Sequence, residues 1–254
     1  MPTKSKTLLA LACALAGTAA LAQTAAPAAE PQSTLSFNVG VVSDYRFRSV
    51  AQTSFKPALQ LGADYAHKSG AYVGIWGSNV NWIKDYVGAS EGSMEIDLYG
   101  GYKGEITAGL TYDIGVITYQ YPGNTADSVL VNANTTEVYG ALTFGIVTAK
   151  YSQSTGNFIA NPNSSGSSYL ELAANIDLGN GFTLTPHVGR QTIPNQNGNG
   201  DYTDFSLTLG KDFGGGLTGS VAAYTTDAKD AFYKVAGYDN LGKNGVSVGL
   251  KYSF

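Results

Sequence analysis

The sequence predicts an all-β protein, a transmembrane antiparallel β-barrel of about twelve strands with short periplasmic turns and longer extracellular loops. Three observations predict this fold. Apolar residues alternate with polar or small residues in runs along most of the chain, which is the period of a strand with two unlike faces. Short turns and long polar loops alternate between the runs. The last run, "GVSVGLKYSF", ends the chain inside a strand.

The alternating runs can be followed from Leu35 to the last residue. In chain order their apolar faces are Leu35, Phe37, Val39 and Val41; Leu59, Leu61, Ala63 and Tyr65; Met94, Ile96, Leu98 and Tyr102; Leu110, Tyr112, Ile114 and Val116; Val138, Leu142 and Phe144; Leu170, Leu172, Ala174, Ile176 and Leu178; Phe182, Leu184 and Val188; Phe205, Leu207 and Leu209; and Val246 to Phe254. Weaker alternation over 71–82, 146–154 and 217–226 predicts three more strands. The facing of residues 71–82 stays open.

The segments between strands differ in length in a regular order. Long polar loops are expected near 48–56, 83–93, 122–135, 154–166, 192–201 and 227–244, with short turns such as "HKSG", "LGNGF" and "DFGGGL" between them. Membrane barrels have short turns at one end and long loops at the other. A soluble β-sandwich shares the short strands and Gly-rich turns, but it does not predict this alternation of loop lengths.

The N-terminal residues predict export. Lys4 and Lys6 precede an apolar run, and Ala20, Leu21 and Ala22 form a small-residue cleavage site, so residues 1–22 are identified as a signal peptide. Residues 23–33 are expected to form a flexible Ala/Pro leader, and residues 34–254 a single outer-membrane barrel domain. We therefore expect the mature protein to lie in the outer membrane of a Gram-negative bacterium.

Composition excludes several classes of function. Removing residues 1–22 removes Lys4, Lys6 and the single cysteine, which leaves 13 basic and 19 acidic residues and a net charge of −6. A chain without cysteine has no disulfides and no thiolate metal site. Its acidity argues against nucleic acid as a partner.

The last strand carries a candidate assembly signal. Val246, Val248, Leu250, Tyr252 and Phe254 share one face, and a closed barrel pairs its last strand with its first. An amphipathic last strand that ends in Phe resembles the C-terminal signal of outer-membrane barrels. The resemblance implies two partners, the barrel-assembly machinery and outer-membrane lipid.

Two segments resemble a known family. Residues 43–82, "SDYRFRSVAQTSFKPALQLGADYAHKSGAYVGIWGSNVNW", and residues 112–123, "YDIGVITYQYPG", are similar to the TorF-like porin family of proteobacterial outer membranes. That family tends to read S-D-Y-x-F-R-G-x-S-Q-T at the start of the first segment. Ser49 and Ala51 replace its Gly and second Ser. The resemblance implies an outer-membrane barrel and does not identify a solute.

Most charged side chains of the predicted strands fall on the interior parity. The candidate residues of the lumen and its constriction are Asp44, Arg46, Arg48, Asp64, Glu95, Asp97, Asp113, Glu137, Glu171, His187 and Asp204. Rings of charge set ion preference in membrane pores, so Asp44, Arg46 and Arg48 are a candidate constriction near the outer end of the first strand. A salt-bridge network that stiffens the interior is the alternative. Acids outnumber bases, which predicts a weak preference for cations.

Aromatic residues gather near the predicted strand ends. They are Tyr45, Trp76, Trp82, Tyr102, Tyr121, Tyr151, Tyr224 and Tyr252. Girdles of aromatic residues at the two membrane interfaces explain this placement without any ligand. A track on which sugars stack is the alternative.

The sequence predicts no enzyme, no cofactor and no metal site. Acyl transfer needs a nucleophile with a base in reach, and only His67 and His187 are available as a histidine base. Neither lies beside a serine in a nucleophile-elbow motif. No phosphate loop or zinc spacing occurs.

These observations together predict a passive channel for ions or small hydrophilic solutes. The alternative is a closed barrel with a structural or surface-binding role, its interior filled by the charge network. Interior glycines at 40, 62, 101, 115, 189 and 210 fit either reading, because they leave space or allow close packing. The solute, the pore width, the gating and the oligomeric state stay open.

Overall fold

The computed structural model describes residues 32–124 and 132–254, which form one closed antiparallel sheet with two one-turn helices in its loops. In chain order the elements are β1 (Ser33–Val42), β2 (Arg46–Phe47), β3 (Val50–Ala51), β4 (Ala58–His67), β5 (Ala71–Asn79), α1 (Trp82–Asp85), β6 (Met94–Thr107), β7 (Leu110–Gln120), β8 (Thr135–Phe144), β9 (Val147–Ser154), β10 (Ser168–Ala174), β11 (Ile176–Gly179), β12 (Phe182–Thr192), β13 (Tyr202–Gly214), β14 (Leu217–Thr226), α2 (Asp230–Tyr233) and β15 (Gly245–Ser253). No described helix has the length and apolar character to cross a membrane. The predicted signal peptide and nearly all of the predicted leader lie outside the described residues.

The wall of the barrel has twelve strands. Neighbours in the sequence pair around the ring from β4 to β14, and β10 and β11 both pair with β12. Only Asn175 separates β10 from β11, and its backbone N–H donates to the carbonyl of Ile146, so the two segments count as one strand. The predicted fold class and strand number are confirmed.

The first and last strands close the ring. β1 pairs with β15 from Asn38 opposite Ser253 to Val42 opposite Gly249. The backbone N–H of Phe37 donates to the carbonyl of Phe254, and the N–H of Phe254 donates to the carbonyl of Phe37. Phe254 is therefore held by backbone hydrogen bonds, and each wall strand of the described residues has a neighbour on both sides.

The two ends of the barrel differ. At one end, the turn end, connections of two or three residues join the strands at 68–70, 108–109, 145–146, 180–181 and 215–216. At the other, the loop end, connections of nine to eighteen residues lie at 43–57, 80–93, 121–134, 155–167, 193–201 and 227–244. The turns use residues with positive φ, among them Gly109 and Gly145, as tight hairpins of right-twisted strands require.

The two faces of the wall also differ. Large apolar side chains point outward and stay exposed, from Leu35 on β1 to Val248 and Leu250 on β15. Several polar side chains that point inward are almost fully buried, including Glu137 and Asp204. A water-soluble barrel would bury the apolar face instead, so this wall is built for an apolar surrounding.

Tyrosine rings fill the space beside several interior glycines. Tyr99 faces Gly74, Tyr72 faces Gly101 and Tyr139 faces Gly115, while the Tyr169 ring lies diagonally against Gly189. A Cβ atom on any of these glycines would overlap the facing ring. The glycines at 101, 115 and 189 therefore serve close packing, the second of the two readings that the sequence leaves open for them.

An apolar cluster occupies the loop end. Its buried members are Val50, Ala51, Val80, Trp82, Ile83, Ala89, Tyr119, Tyr121, Ala133, Ala160, Tyr202 and Leu241. They come from five of the six long loops and from two strand ends. The long loops therefore fold together over the barrel and bury a core of their own.

Gly189 gives a test of the tyrosine packing. We expect Gly189→Ala to destabilise the barrel by about 1–3 kcal/mol, because the added methyl group displaces Tyr169 from a filled site. Gly210→Ala is the matched control, since a Cβ there meets its nearest atom, the carbonyl oxygen of Thr183, at 3.8 Å. Urea unfolding of the protein refolded in detergent measures both. Equal effects of the two substitutions would contradict the packing role.

Candidate functional site

A hairpin from the first long loop enters the barrel. β1 ends at Val42, and β2 pairs with β3 with Arg46 opposite Ala51 and Phe47 opposite Val50. We call residues 46–51 the inserted hairpin. Its tip contacts β8 and β10, which lie five and seven positions from β1 in the twelve-strand ring. The hairpin thus crosses the interior to the far wall.

The tip of the inserted hairpin has an unusual backbone. Arg48 and Ser49 have φ of 50° and 65°, so a two-residue turn has positive φ at both positions without a glycine. Such a conformation costs an L-residue about 1–2 kcal/mol. Ser49 is also the position where the similar TorF-like segment has Gly. Contacts of both side chains hold the turn in place.

Arg48 forms the central ion pair of the interior. Its Nη1 and Nη2 donate to the two carboxylate oxygens of Glu137 at 3.1 and 2.7 Å, and Nη1 also donates to Gln191 Oε1 at 2.8 Å. The guanidinium lies over the ring of Tyr169, 4.3 Å from its centre. Burial opposes the charge, but the Glu137 carboxylate outweighs it and raises the pKa of Arg48, so the side chain stays charged.

Arg46 binds the base of the hairpin. Its Nε donates to Asp44 Oδ2 at 2.8 Å, and Nη1 donates to the carbonyls of Ser49 and Lys243 at 3.1 and 2.7 Å. Burial raises the pKa of Asp44, although Arg46 beside it acts in the opposite direction. Asp44, Arg46 and Arg48 were expected on the first wall strand. They lie instead on the loop that follows it, because the chain turns inward after Val42.

A second cluster surrounds Asp204 on β13. Ser49 Oγ donates to Asp204 Oδ2 at 2.7 Å, and the Tyr169 hydroxyl donates to Asp204 Oδ1 at 2.8 Å. His187 Nε2 lies 3.1 Å from Glu171 Oε2, and its Nδ1 lies 3.5 Å from Asp204 Oδ2. The inserted hairpin is therefore bonded to the wall at Glu137, Gln191 and Asp204.

This cluster holds a serine, a histidine and an aspartate without forming a catalytic triad. Ser49 donates its hydroxyl hydrogen to the Asp204 carboxylate. His187 Nε2, which faces away from Asp204, is hydrogen-bonded to Glu171. A nucleophilic serine instead needs its hydroxyl against the imidazole. The other histidine, His67, contacts only Ser69 at the exposed turn end among the hydrogen bonds of the described residues.

Two carboxylates of β6 form a pair with a different environment. Glu95 and Asp97, which we call the acid pair, are 1% and 7% exposed and lie on the same interior face. Glu95 Oε1 accepts a hydrogen bond from the Tyr45 hydroxyl at 3.3 Å. None of the ion pairs found among residues 32–124 and 132–254 includes either carboxylate.

The interior near the turn end is more open. Asp64 accepts a hydrogen bond from the Tyr99 hydroxyl, and Asp113 accepts one from the Tyr72 hydroxyl at 2.5 Å. These side chains are only partly buried. The structure thus divides the predicted lumen residues between almost fully buried groups at the loop end and partly buried groups nearer the turn end.

The prediction of aromatic girdles is wrong for Tyr45, Trp82, Tyr121 and Tyr224, and Trp76, whose facing the sequence leaves open, lies on the inner face. Trp82 and Tyr121 are buried in the apolar cluster, and Tyr45 packs edge-on against Trp76, with ring centres 5.3 Å apart. Tyr224 lies under the Arg46 guanidinium. Tyr102, Tyr151 and Tyr252 do point outward, with 43%, 46% and 45% of their surface exposed.

Several residues of the interior network escaped sequence reasoning. They are Ser49, Tyr119, Tyr169, Gln191 and Tyr202, which contact Arg48, Glu137 or Asp204. Tyr119, Tyr169 and Gln191 share the interior parity of their strands, so the parity was the available signal. The sequence analysis applied that parity to charged residues alone.

Comparison with known proteins identifies a family from the sequence and a shared fold from solved structures. The model of a family described as "Bacterial protein of unknown function (Gcw_chp)" matches residues 25–254. No curated protein matches the sequence. The resemblance to the TorF-like family stays a prediction, because the matching model carries another description.

Solved structures of porins share the fold. The KdgM porin, in complex with disordered oligogalacturonate, matches with a TM-score of 0.55 at 8% identity, over 87% of this chain and 99% of that chain. The NanC porin matches with a TM-score of 0.52 at 13% identity, over the same shares. Identities this low show a common fold alone.

The Arg48–Glu137 pair gives a test of the interior network. We expect Arg48→Met to destabilise the barrel by about 3–5 kcal/mol, because Glu137 is left as a buried charge without its partner. Glu137→Gln in the same background should recover much of the loss. Urea unfolding of the four proteins of this double-mutant cycle measures the coupling energy. Additive effects of the two substitutions would show that the pair does not hold the hairpin.

Proposed function

The chain belongs to the Gcw_chp family of bacterial proteins of unknown function, and on its fold we propose that it is a porin-type channel of the outer membrane that passes ions or small hydrophilic solutes by passive diffusion. The observation that carries the proposal is the inverted wall, apolar outside and polar inside, around a closed ring of twelve strands. In water, this wall would expose its apolar face to solvent, which does not stabilise the fold. In a bilayer, the apolar outer face contacts lipid and the polar inner face is separated from lipid.

The placement in the outer membrane has further support. Both described chain ends lie at the turn end, which is the periplasmic end of outer-membrane barrels. The predicted signal peptide would bring the chain across the inner membrane. The face formed by Val246, Val248, Leu250, Tyr252 and Phe254 points outward, where we propose that it is recognised by the barrel-assembly machinery.

The inserted hairpin is the proposed constriction. Twelve-stranded barrels are intermediate between small filled barrels and wide porins, so interior side chains decide the bore. Arg48, Glu137 and Asp204 join the hairpin to the far wall across the interior. We therefore expect a narrow passage that conducts weakly until the hairpin or the loops above it move.

A closed barrel with a structural or surface-binding role is the second candidate. The observation that favours it is the apolar cluster of the loop end, which packs Trp82, Ile83 and Tyr121 over the interior. An apolar seal excludes water from any passage beneath it. Measurement of current separates the two candidates directly.

Current through single molecules tests the channel. We expect the refolded mature protein in a planar bilayer to give small discrete conductance steps, because the hairpin narrows the lumen. Replacing residues 46–51 by a short Gly/Ser linker should raise the conductance several-fold. The control is a variant in which loop 193–201 is shortened by as many residues as the linker removes from the inserted hairpin. If both variants insert and stay silent, the channel is excluded and the closed barrel remains.

Ion preference tests the role of the interior acids. Arg46 and Arg48 are each paired with an acid, so the remaining acids should set a weak preference for cations. We expect Asp64→Asn with Asp113→Asn to reduce that preference in the reversal potential under a salt gradient. Asp239→Asn on an exposed loop should leave it unchanged. An unchanged potential in the double variant would exclude the turn-end acids as the source.

A further inference from the structure

The acid pair differs from the other deeply buried acids of the described interior. Glu137 is paired with Arg48 and Asp44 with Arg46, while Asp204 accepts hydrogen bonds from two hydroxyl groups. Glu95 and Asp97 are buried as deeply, but no Lys, Arg or His of the described chain forms an ion pair with them.

The hydrogen bonds around the acid pair are also incomplete. Tyr45 donates to Glu95 Oε1 and the Tyr121 hydroxyl also bonds to this carboxylate, while Glu95 Oε2 and Asp97 Oδ1 are buried and accept no hydrogen bond from the described residues. A buried carboxylate oxygen without a donor costs more than one kept in water. The two oxygens belong to neighbouring inward positions of one strand.

The surroundings of the pair are aromatic. Trp76 and Tyr119 lie on the neighbouring strands directly opposite Asp97, and Ser78 lies opposite Glu95. These rings carry no positive charge. A buried carboxylate in such surroundings is unfavourable unless a cation balances it, and no described Lys, Arg or His forms an ion pair with Glu95 or Asp97.

We propose that Glu95 and Asp97 bind one divalent metal cation that prefers oxygen ligands, such as Ca²⁺. One such ion balances the charge of two carboxylates, and Glu95 Oε2 and Asp97 Oδ1 are its ligands. Hard divalent cations are held in proteins by carboxylates, with carbonyls and waters in the other positions. No group of three or more His, Cys, Asp and Glu among the described residues could ligate a metal, so the ion would take its remaining ligands from hydroxyls, carbonyls and water.

The site lies where an ion would join the wall to the loops. β6 supplies both ligands, and Tyr45, which bonds to Glu95, is the residue before the inserted hairpin. Ion binding therefore stabilises the arrangement in which the first long loop is folded inward. Such a site can bind its ion whether or not the barrel conducts ions or solutes.

Terbium luminescence provides a direct test, because Tb³⁺ replaces Ca²⁺ and is excited through nearby aromatic rings. The chain has only two tryptophans, and Trp76 lies opposite Asp97. The mature protein is refolded in detergent in the presence of chelator, the chelator is removed, and Tb³⁺ is added. We expect saturable luminescence excited through tryptophan, which excess Ca²⁺ displaces.

Isosteric variants assign the site. Glu95→Gln with Asp97→Asn should weaken Tb³⁺ binding by at least about tenfold, whereas Glu105→Gln, an exposed acid on the same strand, should leave it unchanged. If the double variant fails to fold, the test is the melting temperature of the unaltered protein, measured with Ca²⁺ and with chelator. We expect Ca²⁺ to raise this melting temperature. Absent luminescence, equal binding by the double variant, or an unchanged melting temperature would overturn the proposal and indicate a pair that is kept neutral by protons.

Discussion

Closure of the sheet between β1 and β15 is the constraint on which the rest of the structure depends. An apolar surrounding offers no partner for a backbone N–H or carbonyl, so every strand needs a neighbour on both sides. The reciprocal hydrogen bonds between Phe37 and Phe254 supply the last of these partners at the turn end. Closure also fixes which side chains face inward along every strand, because the register of antiparallel pairs is continuous around the ring. The interior network can form only because the ring brings Glu137, Gln191 and Asp204 to one level of the barrel.

The interior shows how a membrane barrel can carry charge without exposing it. The hairpin tip has a backbone that costs free energy at Arg48 and Ser49, and both side chains are bonded to the far wall. Strained positions of this kind persist where surrounding contacts determine them, and they are common at functional sites. The acid pair is the exception, because no ion pair of the described residues includes it. The two halves of the interior therefore differ, with buried ion pairs at the loop end and partly buried acids bonded to tyrosines at the turn end.

The sequence predicted the wall better than it predicted the interior. Alternation from Leu35 to Phe254 is a local property, so it gave twelve strands and placed Glu95, Glu137 and Asp204 on the inner face. Trp76 could not be placed, because one face of β5 carries Tyr72 and Trp76 while the other carries Val73 and Ile75, so both faces contain large apolar side chains. The inserted hairpin was missed because its two strands have two residues each, and the side-chain contacts of its tip join positions 89 to 155 residues apart. No local pattern reports a contact of that kind.

The long sequence separation of the hairpin contacts fixes an order of events in folding. Arg48 follows the first strand, yet its partners Glu137 and Gln191 lie on the sixth and ninth strands of the ring. Contacts between distant segments form late, because the chain between them must first be ordered. The tip can therefore dock only when most of the wall is in place, although it precedes all but the first wall strand in the sequence. Until then the first long loop stays undocked from the incomplete sheet. A docked hairpin tip therefore indicates that β8 and β12 are already part of the wall.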